Sequence, residues 1–496
     1  MKAIEELNLN HALSTGSFAV VYACDIGVYK HYKDSHESDE TMDARRFIPL
    51  ELSILRSLQH VPFFVQLDDI IYHKDVVTGA TMVRYKQNLN TFIKNMQHKN
   101  YAKSQKIMYQ LLCALQMLHS INVLHGDIKP GNILIDHNNN AVLCDFNSCH
   151  MLSPVNKKSV NNRYTYTLWY RPPEIFLRKK ITLEADIWSL GIVFSELLLG
   201  HTGMLATMQE LEDNYVSHHT IFMRQLKTFG TPHEYHSVYP AYKPRYELFF
   251  DKIGITKQPK LCNVIRSMLQ IMPHQRDSPK QLLTCDYFET IPKIILEKKP
   301  QMVIDEANVL HRTPYKSYYQ EMDGLKNNIQ ATLKESFKYC SLSTLQYEAF
   351  NFAHYIFVLT SNNQEHSIKF HLAVCLVIAV KILDPSNYFV DEAMYPKAQE
   401  YEQTLLAAMD YKIHFQNTVY YKLTMNSPLS KKLNELLYAS LFMSYPEEFT
   451  TTEEVANKLT DYSQGKNTSE KYYKDLQKIL TKNESQLKTI NNEPNK

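Results

Sequence analysis

Two aspartates, a lysine and an asparagine supply the residue types that could do chemistry. In His125-Gly-Asp-Ile-Lys-Pro-Gly-Asn-Ile-Leu134, Asp127, Lys129 and Asn132 fall within six residues, and Asp145 of Asp145-Phe-Asn147 follows 18 residues after Asp127. Such a set suits phosphoryl transfer, which asks little covalent chemistry of a protein. That reaction needs a carboxylate to orient the attacking hydroxyl, oxygen ligands for metal on the phosphates, and positive charge against the negative charge that develops. Asp127 suits the first role and Lys129 the third, beside the γ-phosphate of ATP. Asn132 and Asp145 suit the second, as ligands of Mg²⁺.

These residues need a scaffold, and the hydrophobic pattern outlines one. Residues from about 7 to 85 run in short β-branched and aromatic stretches such as Phe18-Ala-Val-Val-Tyr22 and Gly27-Val-Tyr-Lys30, interrupted by one helical run from Arg45 to Leu58. The connection between Val21 and Lys30 is short enough to require a clipped hairpin. From about 88 to 290 the periodicity is helical, as in Ala102 to His119 and Glu184 to Leu199. A strand-rich piece followed by a helix-rich piece predicts an α+β domain over 7–290, with two lobes (about 7–85 and 88–290) and a cleft between them. A Lys/Pro-punctuated stretch over 291–319 is expected to be a linker. Helical patterning resumes over about 320–430. Residues 431–496 are expected to be a helical extension whose Asn-, Lys- and Ser-rich tail frays after about Ser463.

Composition narrows the functional classes. Lys+Arg at 54 against Asp+Glu at 52 leaves no basic stripe, so no nucleic-acid partner is expected. The eight cysteines are scattered with no C-x-x-C pair, the usage of reduced thiols in an intracellular protein. The N-terminus lacks the apolar run of a secretory signal. The longest apolar stretch, His371 to Val380, is half the roughly 20 residues a bilayer span requires, so no membrane partner is expected.

The catalytic stretch resembles the H-x-D-x-K-x-x-N loop of protein kinases, in the form with Lys two residues after Asp that serine/threonine enzymes carry. Other motifs follow in the family's order. Pro172-Pro-Glu174 lies 29 residues beyond Asp145, Asp186-Ile-Trp-Ser-Leu-Gly191 begins 12 later, and Arg276 stands where the family places the partner of that Glu. Upstream, Leu13-Ser-Thr-Gly-Ser-Phe-Ala-Val-Val21 resembles the glycine-rich loop over ATP, which implies nucleotide contacts from Leu13, Ser14, Gly16 and Val21. Lys30 matches the strand lysine that grips the phosphates, Glu51 its helix partner, and Met82-Val-Arg-Tyr85 the hinge, with Tyr85 beside the adenine. His125 is expected to be scaffold and not a base. Thr167-Leu-Trp-Tyr-Arg-Pro-Pro-Glu174 and Lys227-Thr-Phe-Gly-Thr-Pro232 are similar specifically to the cyclin-dependent kinase-like group. That likeness implies protein substrates phosphorylated at Ser or Thr, and through Arg171 a preference for proline after the acceptor. Cys144, before Asp145, is expected to be reachable by an electrophile carried on an ATP-site ligand.

Several positions depart from the family. Ser14 and Ala19 replace two loop glycines, and Asn147 replaces the glycine after the metal-binding Asp. The three arginines that would grip an activating phosphothreonine are Leu50, Gly126 and His150 here, and the threonine itself is Asn162. The inhibitory tyrosine position is Phe18. A phosphate would find no Arg fork, so both phosphorylation switches are expected to be lost. The competing reading is a pseudokinase that scaffolds partners without catalysis, though every charged actor is kept.

Beyond the linker, Ser343 to Leu359, Ile368 to Leu383 and Lys397 to Ile413 read as successive helices. The second resembles the central helix of a cyclin box, with Lys381 and Glu402 where cyclins carry residues facing the kinase. This implies an all-α cyclin-like domain that is an intramolecular partner and activates the kinase in cis.

Overall fold

The structure is a computed structural model. It describes residues 2–4, 7–33, 47–73, 76–152, 166–207, 209–210 and 216–292, and in the C-terminal region 349, 352–353, 355–356, 360, 368–383, 396–411, 452–467 and 469–482. The described residues fall into two compact units, one up to residue 292 and one from 349 onward. Asn162, residues 293–319 and most of the helix expected over 343–359 lie outside them.

The first unit opens with a six-stranded sheet: β1 (Lys2–Ala3), β2 (Leu9–Thr15), β3 (Ala19–Cys24), β4 (Gly27–Tyr32), β5 (Leu67–His73) and β6 (Val76–Met82), in the order β1-β5-β6-β4-β3-β2. The clipped hairpin is present, since only Asp25 and Ile26 separate β3 from β4. Gly27, at φ +147°, lets β4 start against the backbone of β6; a Cβ there would sit 2.4 Å from the Met82 carbonyl oxygen. Cross-strand register sets Ser14 opposite Val21 and Val21 opposite Lys30. Helix α1 (Ile48–Ser57) has Pro49 in its first turn, where a missing N–H costs nothing. It is buried along almost its whole length.

Helices dominate the rest of the unit: α2 (Leu89–Lys94), α3 (Tyr101–Ser120), α4 (Pro173–Phe176), α5 (Glu184–Leu199), α6 (His218–Phe229), α7 (Tyr246–Ile253), α8 (Pro259–Met268) and α9 (Pro279–Leu283). Their starts carry local signals. Asn88, Asn100 and Ser217 each accept a backbone N–H of the first turn, and Ser278 with Gln281 closes a capping box. Gly200, at φ +90°, ends α5 in the left-handed conformation. Fully buried Trp188 anchors α5, with the Phe229 ring 5.3 Å away and the Arg276 guanidinium 5.2 Å away. Short strands frame the chemistry-bearing loops: β7 (Gln87–Asn88), β9 (Ile133–Ile135) and β10 (Ala141–Leu143) form one sheet, β8 (Val123–Leu124) and β11 (His150–Met151) another. Residues 125–132 thus leave β8 and enter β9, and residues 144–149 connect β10 to β11.

The second unit contains α10 (Ile368–Leu383), α11 (Pro396–Ala408), α12 (Thr452–Ser463) and α13 (Lys471–Lys482). The tail does not simply fray after Ser463. Helix α13 buries Tyr472 and Leu476, and its Tyr472 and Tyr473 rings lie 6.4 and 5.1 Å from Tyr462 on α12. Polar composition concealed that apolar face. Among the described residues, no helix is long and apolar enough to cross a membrane.

Candidate active site

Lys30 projects from β4 into a polar triangle with Glu51 and Asp145. Its Nζ donates to Glu51 Oε1 at 2.6 Å and to Asp145 Oδ1 at 2.8 Å, with Lys30 and Glu51 both buried. Burial alone would push the ammonium down, but the Asp145 and Glu51 carboxylates outweigh it and hold Lys30 above its ordinary value. Burial pushes Asp145 up, yet Lys30 beside it keeps its carboxyl below the usual range. For Glu51, burial wins over Lys30 and the shift is upward. Lys30 is therefore a charged lysine joining one carboxylate on α1 to another after β10.

Asp145 itself sits at φ +67°, a region disfavoured for any residue with a Cβ. Phe146 holds it there: the ring is buried, 6.1 Å from Phe64 and 5.5 Å from His125. His125 Nε2 donates to the Cys144 carbonyl at 3.1 Å while Nδ1 accepts from the Asp127 N–H at 3.3 Å. One imidazole therefore ties the loop after β10 to the loop after β8, the scaffold role expected of it.

Asp186, on α5, holds that second loop by its backbone. Its carboxylate accepts the N–H of His125 at 2.8 Å and of Gly126 at 3.1 Å, and contacts His119 Nε2 at 3.0 Å. Gly126 has φ +78°, and a Cβ there would meet the Ser148 carbonyl oxygen at 2.4 Å, so the two loops approach to backbone contact.

Asp127 is ringed by four donors. Lys129 Nζ (2.6 Å) and Asn132 Nδ2 (3.0 Å) donate to Oδ2, and Thr167 Oγ1 (2.7 Å) and N (3.1 Å) donate to Oδ1. The Asn132 amide also donates to the Asp127 carbonyl at 2.9 Å, which turns its own oxygen away from Asp127. Lys129 bonds Thr167 Oγ1 as well, at 3.1 Å. Among the described residues no three His, Cys, Asp or Glu side chains gather as a metal site. The Asn132 and Asp145 oxygens are hard donors, too few for a protein cage, and fit an ion such as Mg²⁺ that keeps its waters and takes substrate phosphates as ligands.

The remaining expected nucleotide contacts surround this centre. Ser14 and Gly16 are exposed on the β2–β3 hairpin, where the Gly16 N–H donates to the Ala19 carbonyl at 2.9 Å. Leu13 is 42% exposed, an apolar side chain left open on that hairpin. Val21 lies between Ser14 and Lys30. Half-buried Tyr85 follows β6, its hydroxyl pushed up by burial, with Cys144 and Asp136 nearby. Burial and Asp145 push the Cys144 thiol up, and Sγ donates to the Asn132 carbonyl at 3.3 Å.

Arg276 grips Glu174 through two bonds of 2.8 and 2.7 Å, both groups buried. Arg171 donates to the Tyr166 carbonyl through Nη2 at 2.7 Å and Nε at 3.3 Å. Thr167 and Asp186 lie inside motifs whose spacing alone marks no role for them; His119 and Glu196, a buried acceptor for the Tyr170 hydroxyl at 2.9 Å, carry no local signal at all.

Comparison with known proteins agrees with this geometry. The chain matches the protein kinase domain over residues 7–288. It is 27% identical over 335 residues to mouse cyclin-dependent kinase-like 5, covering 64% of this chain and 33% of that protein. Arabidopsis thaliana mitogen-activated protein kinase 3 is 31% identical over 177 residues, 34% of this chain and 45% of that one. Saccharomyces cerevisiae serine/threonine-protein kinase KDX1 is 30% identical over 256 residues, 48% and 57% respectively. The chain thus spans from a third to somewhat over half the length of these relatives. The match covers more than half of this chain and includes every loop just described: the chain belongs to the protein kinase family.

Proposed function

We propose that this chain transfers the γ-phosphoryl group of ATP to serine or threonine hydroxyls of proteins. The observation that carries this reading is the Lys30 bridge between Glu51 and Asp145, set beside an Asp127 that already holds Lys129, Asn132 and Thr167. Asp127 orients the acceptor hydroxyl and takes its proton, and Lys129 steadies the γ-phosphate. Lys30, positioned by Glu51, grips the other phosphates beneath the hairpin carrying Leu13, Ser14, Gly16 and Val21, and Tyr85 flanks the base. Asn132 and Asp145 would hold Mg²⁺, which when bound neutralises phosphate charge.

Substrate choice follows from Arg171. Because its guanidinium occupies the Tyr166 carbonyl, a substrate residue placed there would bury its N–H without an acceptor. Such a group costs roughly 1–3 kcal/mol, and proline, lacking the N–H, escapes it. The expected outcome is phosphorylation of Ser-Pro peptides about tenfold or more faster than Ser-Ala peptides, abolished in both cases by Asp127→Asn. Equal rates on the two peptides would refute the preference, and an active Asp127→Asn chain would refute the site.

Regulation is expected to lie within the chain. At the positions where the resembling group grips an activating phosphate, Leu50 is a buried apolar residue, Gly126 has no side chain, and burial pushes His150 down to about 4, leaving it neutral. None offers a cation. The helical unit, read as cyclin-like on α10 and α11, takes over the ordering of α1, since a tethered partner acts at roughly millimolar effective concentration. Residues 1–300 alone should then be much less active than the full chain, with activity restored in a concentration-dependent way by residues 315–496. A truncated chain as active as the whole would make the second unit a recruiter of substrates instead.

A further inference from the structure

The tip of the β2–β3 hairpin touches the start of α1 through two phenyl rings. Phe18 and Phe47 have centroids 5.2 Å apart at 52°, with Phe47 buried and Phe18 half-buried. Phe47 occupies the N-cap position of α1, where Ser, Thr, Asp or Asn would ordinarily satisfy the first N–H groups, and it makes no side-chain cap. Each phenylalanine is also wired by its backbone to one end of the Lys30–Glu51 pair. The Phe47 carbonyl accepts from the Glu51 N–H at 3.0 Å, one helical turn away. The Phe18 carbonyl accepts from the Lys33 N–H at 3.0 Å, three residues past Lys30.

We infer that Phe18 and Phe47 form an aromatic latch coupling closure of the hairpin over nucleotide to the placement of Glu51 against Lys30. Both are positioning residues; neither is expected to touch the transferred phosphate. Lifting the hairpin would return apolar ring surface on both partners to water, so the closed hairpin and the seated helix favour each other. Coupling of this kind is reciprocal: nucleotide under the hairpin steadies α1, and whatever steadies α1 tightens nucleotide. The latch rests on the proposal that this cleft binds Mg-nucleotide.

A double-mutant cycle on the full chain tests it, with Mg-ADP affinity as the first readout and kcat and KM for ATP as the second. Phe18→Ala and Phe47→Ala should each weaken Mg-ADP three- to tenfold, while the double variant should be no weaker than the worse single one. Phe18→Tyr, which keeps the ring, should bind as the unaltered chain does. If Phe47→Ala fails to fold, Phe47→Leu keeps the apolar volume without the ring and completes the cycle. Losses that multiply, or a Phe18→Ala chain with unchanged Mg-ADP affinity, would overturn the latch alone. An unaltered chain that binds no Mg-ADP would overturn the nucleotide reading and the latch with it.

Discussion

Each unit of the molecule buries a lysine–glutamate pair, and in each the two residues are 21 positions apart. Lys30 meets Glu51 through one oxygen and spends another of its hydrogen bonds on Asp145, whose side chain is 38% exposed. Lys381 meets Glu402 through both carboxylate oxygens, at 2.8 and 2.7 Å, with side chains 5% and 0% exposed. The first group holds one positive and two negative charges and opens to solvent through Asp145, an arrangement that welcomes a further cation. The second is a bidentate bond between two buried side chains. Its two members face each other across α10 and α11. The two pairs thus differ in access to water: Lys30 also holds a part-exposed carboxylate, whereas Lys381 and Glu402 are both buried.

Lys381→Met should give the largest effect. It leaves Glu402 buried without its lysine, at a cost of about 3–5 kcal/mol, and should unfold the second unit at markedly lower denaturant. Adding Glu402→Leu should restore most of that stability, since apolar residues of similar volume often replace buried ion pairs without loss. A single variant as stable as the original would show the pair to be idle. The corresponding change in the first unit should behave in the opposite way. Lys30→Met should lower turnover by about a hundredfold or more, and adding Glu51→Leu should recover none of it. Any recovery in a peptide phosphorylation assay would place Lys30 among structural residues.

The smallest effect concerns a buried carboxylate held only by neutral donors. Glu196 accepts from the Tyr170 hydroxyl and from the N–H groups of Gly203 and Met204 at 2.7–3.1 Å. Burial pushes it up to about 7 in spite of those bonds. Its folded form therefore binds a proton more tightly than its unfolded form. The stability this confers is complete below its ordinary value near 4.5 and is lost as pH rises through about 7. Melting temperatures measured from pH 5 to 8 should fall less steeply for Glu196→Gln than for the original chain. Parallel slopes would remove Glu196 as the cause.

Much of the first unit is legible in the sequence. Helix α5 runs over Glu184–Leu199, the span its apolar pattern implied, and α3 differs from expectation by one residue at either end. Capping and turn residues sit beside the elements they terminate, so those signals are local. The motif around Asp127 was legible for the same reason: Asp127, Lys129 and Asn132 lie so close in the chain that one loop must present them together. Lys30 and Glu51 were legible only through their register with other motifs, because an isolated lysine or glutamate is ordinarily a solvated charge.

Residue type and spacing by themselves determined which groups could carry phosphoryl transfer, and that strands precede helices around them. Tertiary structure alone decided which of those groups meet. Nothing local to Thr167 marks it as a donor to Asp127, nor Asp186 as the clamp on two backbone N–H groups 60 and 61 residues away. Likewise, Arg171 reaches the Tyr166 carbonyl only because the chain folds one onto the other. Burial decided the charges too. A cysteine, a histidine and a glutamate acquire their protonation states from the dielectric and neighbours that packing imposes, and neither is written in the local order of residues.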